Sequence, residues 1–345
     1  MANKKLHWLD RFIYFINVVF AFLLLVSYGL PFISPQYIPF ISILNFGIPL
    51  LILINLVFLM YWILKLRFQF FLSGVVLLLG FNHITSLYVF NEQNEADVSD
   101  EHIKLMSYNV RHFNSQAWIS DINVTTEIEN FIRDEAPDII AFQDFEFIDD
   151  FNLKSLYPYQ VQFPNQRNGF LRMNVFSKFP FIQEKNIGFP NTGNGAIFVD
   201  VKLPSDTIRI FNVHLESLKI IADVKQLQSE DPQKLINRVG QAFKKQAEQV
   251  EMILPYLENS PYKNIVIGDF NNTAFSYVYR SLKKNNLKDA FKERGSGFGK
   301  TFDFDFIPIR IDHALIDKEI EVYKFTNYEI KLSDHYPISV IFSLP

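Results

Sequence analysis

The sequence predicts an α/β domain that follows an apolar, all-helical region. The first 90 of the 345 residues hold three long apolar runs, which account for the high hydrophobic content of 49%. The later residues alternate short β-branched segments with helical periodicity, a pattern typical of α/β folds. A short polar stretch without periodic apolar positions separates the two parts. We therefore expect a transmembrane region over residues 1–90, a linker over 91–101 and one domain over 102–345.

The apolar runs at the N-terminus are each long enough to cross a membrane, which takes about 20 residues. They predict helices at about residues 12–30, 40–64 and 68–90. A cleaved signal peptide would account for the first run only. The third run is the weakest, because Asn82, His83 and Thr85 interrupt its second half. We predict three spanning helices, with two spans and a buried third segment as the alternative.

The basic residues near these runs predict an orientation. They precede the first run or lie between the second and third: Lys4, Lys5, Arg11, Lys65 and Arg67. Residues 31–39 carry no Lys or Arg, and the segment after the third run is acidic. The positive-inside rule then places the N-terminus in the cytoplasm. We expect a multi-pass protein of the inner (cytoplasmic) membrane with an extracytoplasmic domain, whereas two spans would return the domain to the cytoplasm.

The net charge of −4 falls on the domain, because the residues before 101 carry equal numbers of acidic and basic side chains. A protein that binds the phosphate backbone of double-stranded nucleic acid usually has a basic face. The charge therefore argues against a general nuclease. The absence of cysteine leaves the compartment open.

The domain begins with a strand, a helix and a second strand, a unit that predicts a parallel strand pair. The strands lie at 104–110 and 138–142, and the helix at 125–135 with Thr125 or Thr126 as its cap. Further strands are predicted at 169–177, 196–203, 207–214, 265–267, 310–316 and 339–342, and helices at 218–229 and 232–257. Gly268 is expected to let the backbone turn where the strand 265–267 ends.

Polar side chains stand at or near six of these strand ends. They are Asn109, Asp144, His214, Asp269 with Asn271, Asp312, and Asp334 with His335. Each has an ordinary explanation, such as a turn cap, an Asx turn or a satisfied interior histidine. Together they lie where an α/β sheet would collect them into one crevice.

Several motifs in this order resemble the endonuclease/exonuclease/phosphatase superfamily, the deoxyribonuclease I-like enzymes. They are Ser-Tyr-Asn109-Val-Arg111, Gln143-Asp144, Asn212-Val-His214, Gly-Asp269-Phe-Asn271, Arg-Ile-Asp312-His and Ser-Asp334-His335. The resemblance covers about residues 103–343 and identifies a membrane-anchored, bacterial-type member. It implies a four-layered α/β sandwich of two mixed β-sheets flanked by helices.

The resemblance also implies a metal site formed by Asn109, Asp144 and Asp334. Their hard oxygen atoms suit Mg²⁺ or Mn²⁺. The family usually has Glu where this chain has Asp144, whose side chain is one methylene shorter. Either the backbone moves inward, a water intervenes or Glu146 substitutes. Glu146 would share a face with Asp144 if the strand continued.

The remaining roles implied by the resemblance are catalytic. Asp269 orients or deprotonates the attacking water, and Asp312 fixes the tautomer of His335 and raises its pKa. Phosphate contacts are assigned to Arg111, Asn271 and His214.

The sequence thus predicts a membrane-tethered, Mg²⁺-dependent phosphoesterase in which water attacks phosphorus in line. A membrane tether makes a lipid headgroup an attractive substrate, and the choice between phosphomonoester and phosphodiester stays open. One alternative is an extracytoplasmic metal-dependent nuclease, which a basic groove around Arg167, Arg172 and Lys178 would support. The other is a non-catalytic binding module that keeps the fold. No protein partner is indicated.

Overall fold

The structure, a computed structural model, describes residues 6–91, 101–146, 148, 150–161, 172–220, 223–305 and 307–345. The predicted linker lies outside these residues except for its two ends. The helices are α1 (Trp8–Ser27), α2 (Ile48–Leu64), α3 (Phe70–Leu79), α4 (Phe81–Leu87), α5 (Val124–Glu135), α6 (Val224–Ser229), α7 (Pro232–Glu258), α8 (Tyr277–Lys283) and α9 (Ala290–Arg294).

The strands follow the same chain order. They are β1 (Ile103–Asn109), β2 (Ile139–Gln143), β3 (Tyr159–Gln160), β4 (Met173–Ser177), β5 (Phe181–Gly188), β6 (Gly195–Lys202), β7 (Thr207–His214), β8 (Lys263–Asp269), β9 (Leu287–Asp289), β10 (Phe302–Phe304), β11 (Ile307–Ile309), β12 (Asp312–Asp317), β13 (Glu321–Asn327) and β14 (Ile338–Ser343). They form two six-stranded sheets and one hairpin, β10-β11.

Both large sheets are mixed. The first has the order β13-β14-β1-β2-β4-β3 and the second β5-β6-β7-β8-β12-β9. The pairs β1/β2 and β7/β8 are parallel, and the other neighbours are antiparallel. The carboxyl ends of the parallel strands therefore lie beside the amino ends of β14 and β12.

Three apolar clusters separate four layers. The largest lies between the sheets and contains residues of both, such as Leu105 and Ile139 with Ile210 and Ile267. A second joins the outer face of the first sheet to α5, and a third joins the second sheet to α7 and α8. Successive residues of the central strands pack into different clusters, as Leu105 and Met106 do, which confirms the predicted four-layered sandwich.

The N-terminal helices form a bundle held by polar side chains inside it. Asn17 donates to Ser73 at 2.7 Å and accepts from the Trp62 indole at 2.9 Å. Ser73 donates in turn to Asn55 at 3.1 Å. These four side chains are fully buried and join α1, α2 and α3. Such hydrogen bonds hold helices together where apolar surface alone gives little preference.

Two segments are long and apolar enough to cross a membrane, Trp8–Phe32 and Pro39–Leu64. The predicted third helix at 68–90 is broken, because α3 and α4 meet at a 71° bend; the described residues thus hold two candidate spans, or three if this bent pair crosses the membrane as one. Gly80 lies at the bend, and a Cβ there would stand only 1.9 Å from the Tyr28 hydroxyl. The close approach of Tyr28 thus requires glycine at this position.

Other expectations about elements need correction. Of the predicted helix 218–229, only α6 from Val224 is helical, and α5 is capped by the side chain of Asn123 rather than by Thr125 or Thr126. Gly268 does not end its strand. It pairs within β8 at φ +136, where a Cβ would lie 2.1 Å from the Val213 carbonyl oxygen. Glycine therefore allows close contact between β7 and β8.

The bundle touches the domain at several places. The segment Pro39–Gly47 lies against α7, where Phe46 contacts Phe243. The strand-like residue Val89 pairs with Gly297, and Lys292 donates to the Asn82 side chain at 2.6 Å. Phe275, which follows β8, is buried in the apolar cluster of the bundle.

Candidate active site

The candidate residues meet at one edge of the two sheets. Asn109 ends β1, His214 ends β7 and Asp269 ends β8. Asp312 begins β12, which runs antiparallel to β8, and His335 stands just before β14. The register places Asp269 directly opposite both His214 and Asp312. The topology therefore explains why polar residues far apart in sequence converge.

One carboxylate oxygen, Oδ2 of Asp269, lies at the centre of the site. The side-chain amides of Asn109 and Asn271 donate to it at 3.0 Å and 3.1 Å. Nε2 of His214 is 3.5 Å away, and Nε2 of His335 is 3.7 Å away. Four nitrogen-bearing side chains thus surround a carboxylate that is 1% exposed.

Asp269 and His335 are tuned in a way that suits proton transfer near neutral pH. Burial raises the pKa of Asp269 to about 6, against the opposing attraction of the histidines. Burial alone would lower the pKa of His335, but the carboxylates of Asp312 and Asp269 outweigh it and raise the pKa to about 10. The site therefore combines a general base, Asp269, with a His335 side chain that stays protonated at neutral pH.

The contact between His335 and Asp312 fixes the imidazole. Nδ1 of His335 lies 2.9 Å from Oδ2 of Asp312, and both side chains are buried. Because a carboxylate only accepts, Nδ1 carries the proton and Nε2 points toward Asp269. This geometry is the pairing that the family resemblance implied.

Asn271 reaches Asp269 through a tight turn. Its backbone N–H donates to Oδ1 of Asp269 at 2.7 Å, and its φ is +48. The strand has ended at Asp269, so the two side chains do not leave on one strand face. An Asx turn instead folds the Asn271 amide back onto the carboxylate.

The predicted metal ligands stand around the same edge. Asn109 is 3% exposed, and its Oδ1 accepts from the backbone N–H of Arg111 at 3.1 Å. Asp334 pairs with the Arg111 guanidinium at 3.0 Å. Asp144 lies 3.7 Å from Nδ1 of His214, a buried nitrogen without a hydrogen-bond partner among the described residues. Two carboxylates and an amide oxygen are hard donors, and this donor chemistry fits a divalent cation such as Mg²⁺.

The region around Asp144 differs from the expectation. The strand β2 ends at Gln143 and Asp144 has φ +47, so Glu146 does not continue on its strand face. Glu146 instead lies 3.2 Å from Nδ1 of His112, whose other nitrogen is 3.0 Å from Arg172. Glu146 therefore lies with His112 and Arg172, beside the site and apart from Asn109.

A different group of side chains is compact enough to hold a metal ion. It comprises Asp269, Asp312 and His335, whose possible ligand atoms lie within 4.8 Å of one another. However, the 2.9 Å hydrogen bond already joins Asp312 to His335, and Asp269 accepts three hydrogen bonds. We interpret this group as acid–base machinery rather than as a ligand set.

A left-handed turn and its neighbours, which carry no signal in the sequence, also shape the site. The backbone from Arg111 to Asn114 has four successive positive φ angles between +42 and +61. Such left-handed turns of non-glycine residues cost free energy and cluster at functional sites. The turn presents Arg111, which stacks on Trp118 at 3.6 Å and lines a cavity of about 300 Å³ with Lys331.

Gln246 of α7 was also missed, because a glutamine on an amphipathic helix gives no sequence signal. It is fully buried, and its amide donates to the carbonyls of Glu216 and Asn271 at 2.8 Å and 3.2 Å. Its oxygen accepts from Asn272 at 2.7 Å. Gln246 thus ties together the loops that follow β7 and β8.

The proposed basic groove does not form among the described residues. Arg172 precedes β4 and lies beside Glu146, whereas Lys178 follows β4 and pairs with Asp138 at 2.9 Å. The two ends of such a strand are about 20 Å apart. Arg167 lies outside the described residues.

Comparison with known proteins now identifies the family. The sequence matches the Endonuclease/Exonuclease/phosphatase family over residues 106–335. The chain belongs to this family. Endonuclease/exonuclease/phosphatase enzymes hydrolyse phosphoric esters and generally depend on a divalent metal, and this chain is an enzyme of that class. Residues 10–87 match a domain of unknown function (DUF8431), and no curated protein matches the sequence significantly.

Solved structures of this family confirm the fold. A family member from Bacteroides thetaiotaomicron superposes with a TM-score of 0.55 at 16% identity, covering 71% of this chain and 98% of that chain. The human nocturnin catalytic domain gives 0.53 at 18%, covering 72% and 96%. Sphingomyelinase C from Streptomyces griseocarneus gives 0.51 at 17%, covering 70% and 99%.

Proposed function

We propose that the protein is a membrane-attached phosphoesterase that uses Mg²⁺ or Mn²⁺ to hydrolyse the phosphate ester of a lipid headgroup. One observation carries this proposal: the loop with Asn271 enters the apolar bundle at Phe275. Four residues span at most about 14 Å. A second segment also joins the bundle to the site. Its Gly297 pairs with Val89, which follows α4, and its Phe302 lies 5.0 Å from the His335 ring. The reacting groups thus stand close to the end of the bundle.

The bundle supports the predicted orientation. Pro39–Gly47 and α4 both contact the domain, so they lie at the same end of the bundle. Lys65 and Arg67, between α2 and α3, lie at the opposite end together with Asp10, which pairs with Lys65 at 3.1 Å. The chain therefore passes along the bundle three times. With the basic end in the cytoplasm, the domain is extracytoplasmic.

The chemistry follows from the site. Asp269 accepts a proton from the water that attacks phosphorus, and its raised pKa suits a base near neutral pH. His214 donates to the phosphate oxygens, where negative charge grows. The Asn271 amide donates to Asp269 at 3.1 Å and to the Leu215 carbonyl at 2.9 Å, and it would turn one of these N–H groups to the phosphate. The imidazolium of His335 remains protonated at neutral pH and adds positive charge there. The hydrolysis leaves an alcohol and a phosphate product.

The metal ion would be held by Asn109, Asp144 and Asp334, whereas Glu146 is engaged by His112 and Arg172. When bound, it neutralises charge on the phosphoryl oxygens as a Lewis acid. The shorter side chain of Asp144 is compatible with Mg²⁺, which retains several waters.

A panel of substrates tests the proposal. The purified full-length protein is given phospholipids in mixed micelles, single- and double-stranded DNA, and small phosphomonoesters, each with Mg²⁺ or EDTA. We expect phosphate or headgroup to be released from the lipids with Mg²⁺ and not with EDTA. A preference for DNA would make the protein an extracytoplasmic nuclease. No hydrolysis of any substrate by folded protein that binds Mg²⁺ would favour a non-catalytic binding module.

A further inference from the structure

The loop that follows β8 links a proposed catalytic side chain directly to the bundle. Phe275 is 4% exposed and belongs to the cluster that includes Leu24, Ile48 and Val76. Its ring lies 6.0 Å from the ring of His83, with 7° between the two planes. Asn271 is only four residues away. A displacement of Phe275 would therefore be transmitted along a short segment to Asn271.

A buried polar chain reaches the same loop from α4. Arg310 is 6% exposed and donates to the backbone carbonyl of Ser86 at 3.3 Å. Its Nη1 lies 3.0 Å from Nδ1 of His313, and Nε2 of His313 lies 2.9 Å from the carbonyl oxygen of Asn272. Because arginine only donates, His313 accepts at Nδ1 and donates at Nε2. A continuous chain of hydrogen bonds, each with a defined donor and acceptor, therefore joins the bundle to the loop.

Asp289 holds the charge of Arg310 in place. Its Oδ2 lies 2.9 Å from Nη2 of Arg310 and accepts from the Tyr279 hydroxyl at 2.6 Å. A buried ion pair is costly unless its geometry is satisfied. A flexible tether would need no such chain, so its presence at the loop calls for a role beyond attachment.

We propose that the N-terminal bundle is a structural part of the active site, and that Phe275 and the Arg310–His313 pair are positioning residues for Asn271. The inference rests on the role proposed above for Asn271. The bundle then does more than hold the enzyme near lipid: it keeps the loop in the geometry that catalysis requires.

The consequence for turnover is a selective loss of kcat. A misplacement of about 1 Å near reacting groups can reduce the rate about 100-fold. We expect Phe275→Ala to lower kcat by about that factor while KM changes less than about threefold. Phe275→Leu, which refills most of the space, restores turnover.

The experiment uses full-length protein in detergent micelles. The chain has no cysteine, so Thr273→Cys accepts a single nitroxide label whose EPR spectrum reports the order of the loop without any need for activity. The spectrum and the turnover of a soluble phosphodiester are measured for Phe275→Ala and Phe275→Leu. The matched control is Phe32→Ala, which removes a bundle–domain contact with Arg280 away from the loop.

We expect a mobile label and a low kcat in Phe275→Ala, and wild-type behaviour in Phe275→Leu and Phe32→Ala. Should Phe275→Ala fail to fold, His313→Leu carries the test, with His313→Gln as its rescue. A rigid label and unchanged kcat in the folded disruptive variant would overturn the inference. If the wild-type protein were inactive on every substrate, the proposed function would be contradicted. A label that is immobile in the wild type and mobile in Phe275→Ala would then still support the positioning of the loop by the bundle.

Discussion

Replacing Gly268 with alanine perturbs the site at its narrowest point. Gly268 lies between Val213 of β7 and His313 of β12 with φ +136. A Cβ there would be 2.1 Å from the Val213 carbonyl oxygen and 2.9 Å from its nitrogen. All these neighbours are backbone atoms, so no side-chain rotation relieves the clash.

The magnitude follows from the geometry. Contacts of a Cβ below 3.0 Å are essentially never found, so the strands must separate by about 0.9 Å (3.0 less 2.1). The backbone angle costs a non-glycine residue about 1–3 kcal/mol, and each weakened hydrogen bond adds about 1 kcal/mol. We expect the free energy of unfolding to fall by about 3 kcal/mol. Because His214 is opposite Asp269 in the register, turnover should fall about 100-fold.

The assay measures the Tm and the kcat for a soluble phosphodiester with Mg²⁺. Gly193→Ala is the matched control, since a Cβ at Gly193 meets no atom within 4 Å. We expect it to stay within about 0.5 kcal/mol of wild type. A Gly268→Ala protein with wild-type Tm and kcat would refute the argument that glycine is needed for the approach of β7 to β8.

Three further predictions concern the site and its surroundings. Asp269→Asn and His335→Ala should each lower kcat at least about 100-fold; near-normal rates in either would contradict the assigned roles. Asp269→Asn should change the Tm little, whereas His335→Ala should lower it, because the buried Asp312 carboxylate loses its partner. Asp144→Glu should keep or improve the Mg²⁺ dependence of turnover, and loss of activity would show that the site is built differently from that of the family. Burial and Arg310 lower the pKa of His313 to about 3, below an unfolded value near 6.5. The unfolded chain therefore binds the extra proton, and stability is lost below about pH 6.5 by up to about 1.4 kcal/mol per pH unit. The Tm of His313→Gln should fall less than that of wild type between pH 7 and pH 5, and equal slopes would contradict this.

Sequence patterns predicted the α/β class and the polar residues at strand ends, and the family resemblance supplied the four-layered sandwich. Buried strands carry strong β-branched signals, and the polar residues at their ends stand out against them. Thr207–His214 was predicted at its observed bounds. The pairing of Asp312 with His335, which came from the family resemblance, is present at 2.9 Å.

The elements that escaped prediction have physical reasons. β5 and β13 are edge strands, and most of the side chains of β5 are exposed, so neither carries regular apolar alternation. The bend at Gly80 and the role of Gly268 depend on neighbours distant in sequence, Tyr28 and Val213. The insertion of Phe275 into the bundle likewise depends on tertiary packing, which no local pattern encodes.

The most direct test of the central claim is headgroup release from phospholipid in the bilayer that carries the enzyme. Full-length protein is reconstituted into vesicles with Mg²⁺, beside the Asp269→Asn variant and beside DNA added to the same vesicles. We predict metal-dependent release of the lipid headgroup by the wild type, at least about 100-fold slower in the variant, and little cleavage of DNA. Release that persists in the variant, or faster cleavage of DNA than of lipid, would contradict the account.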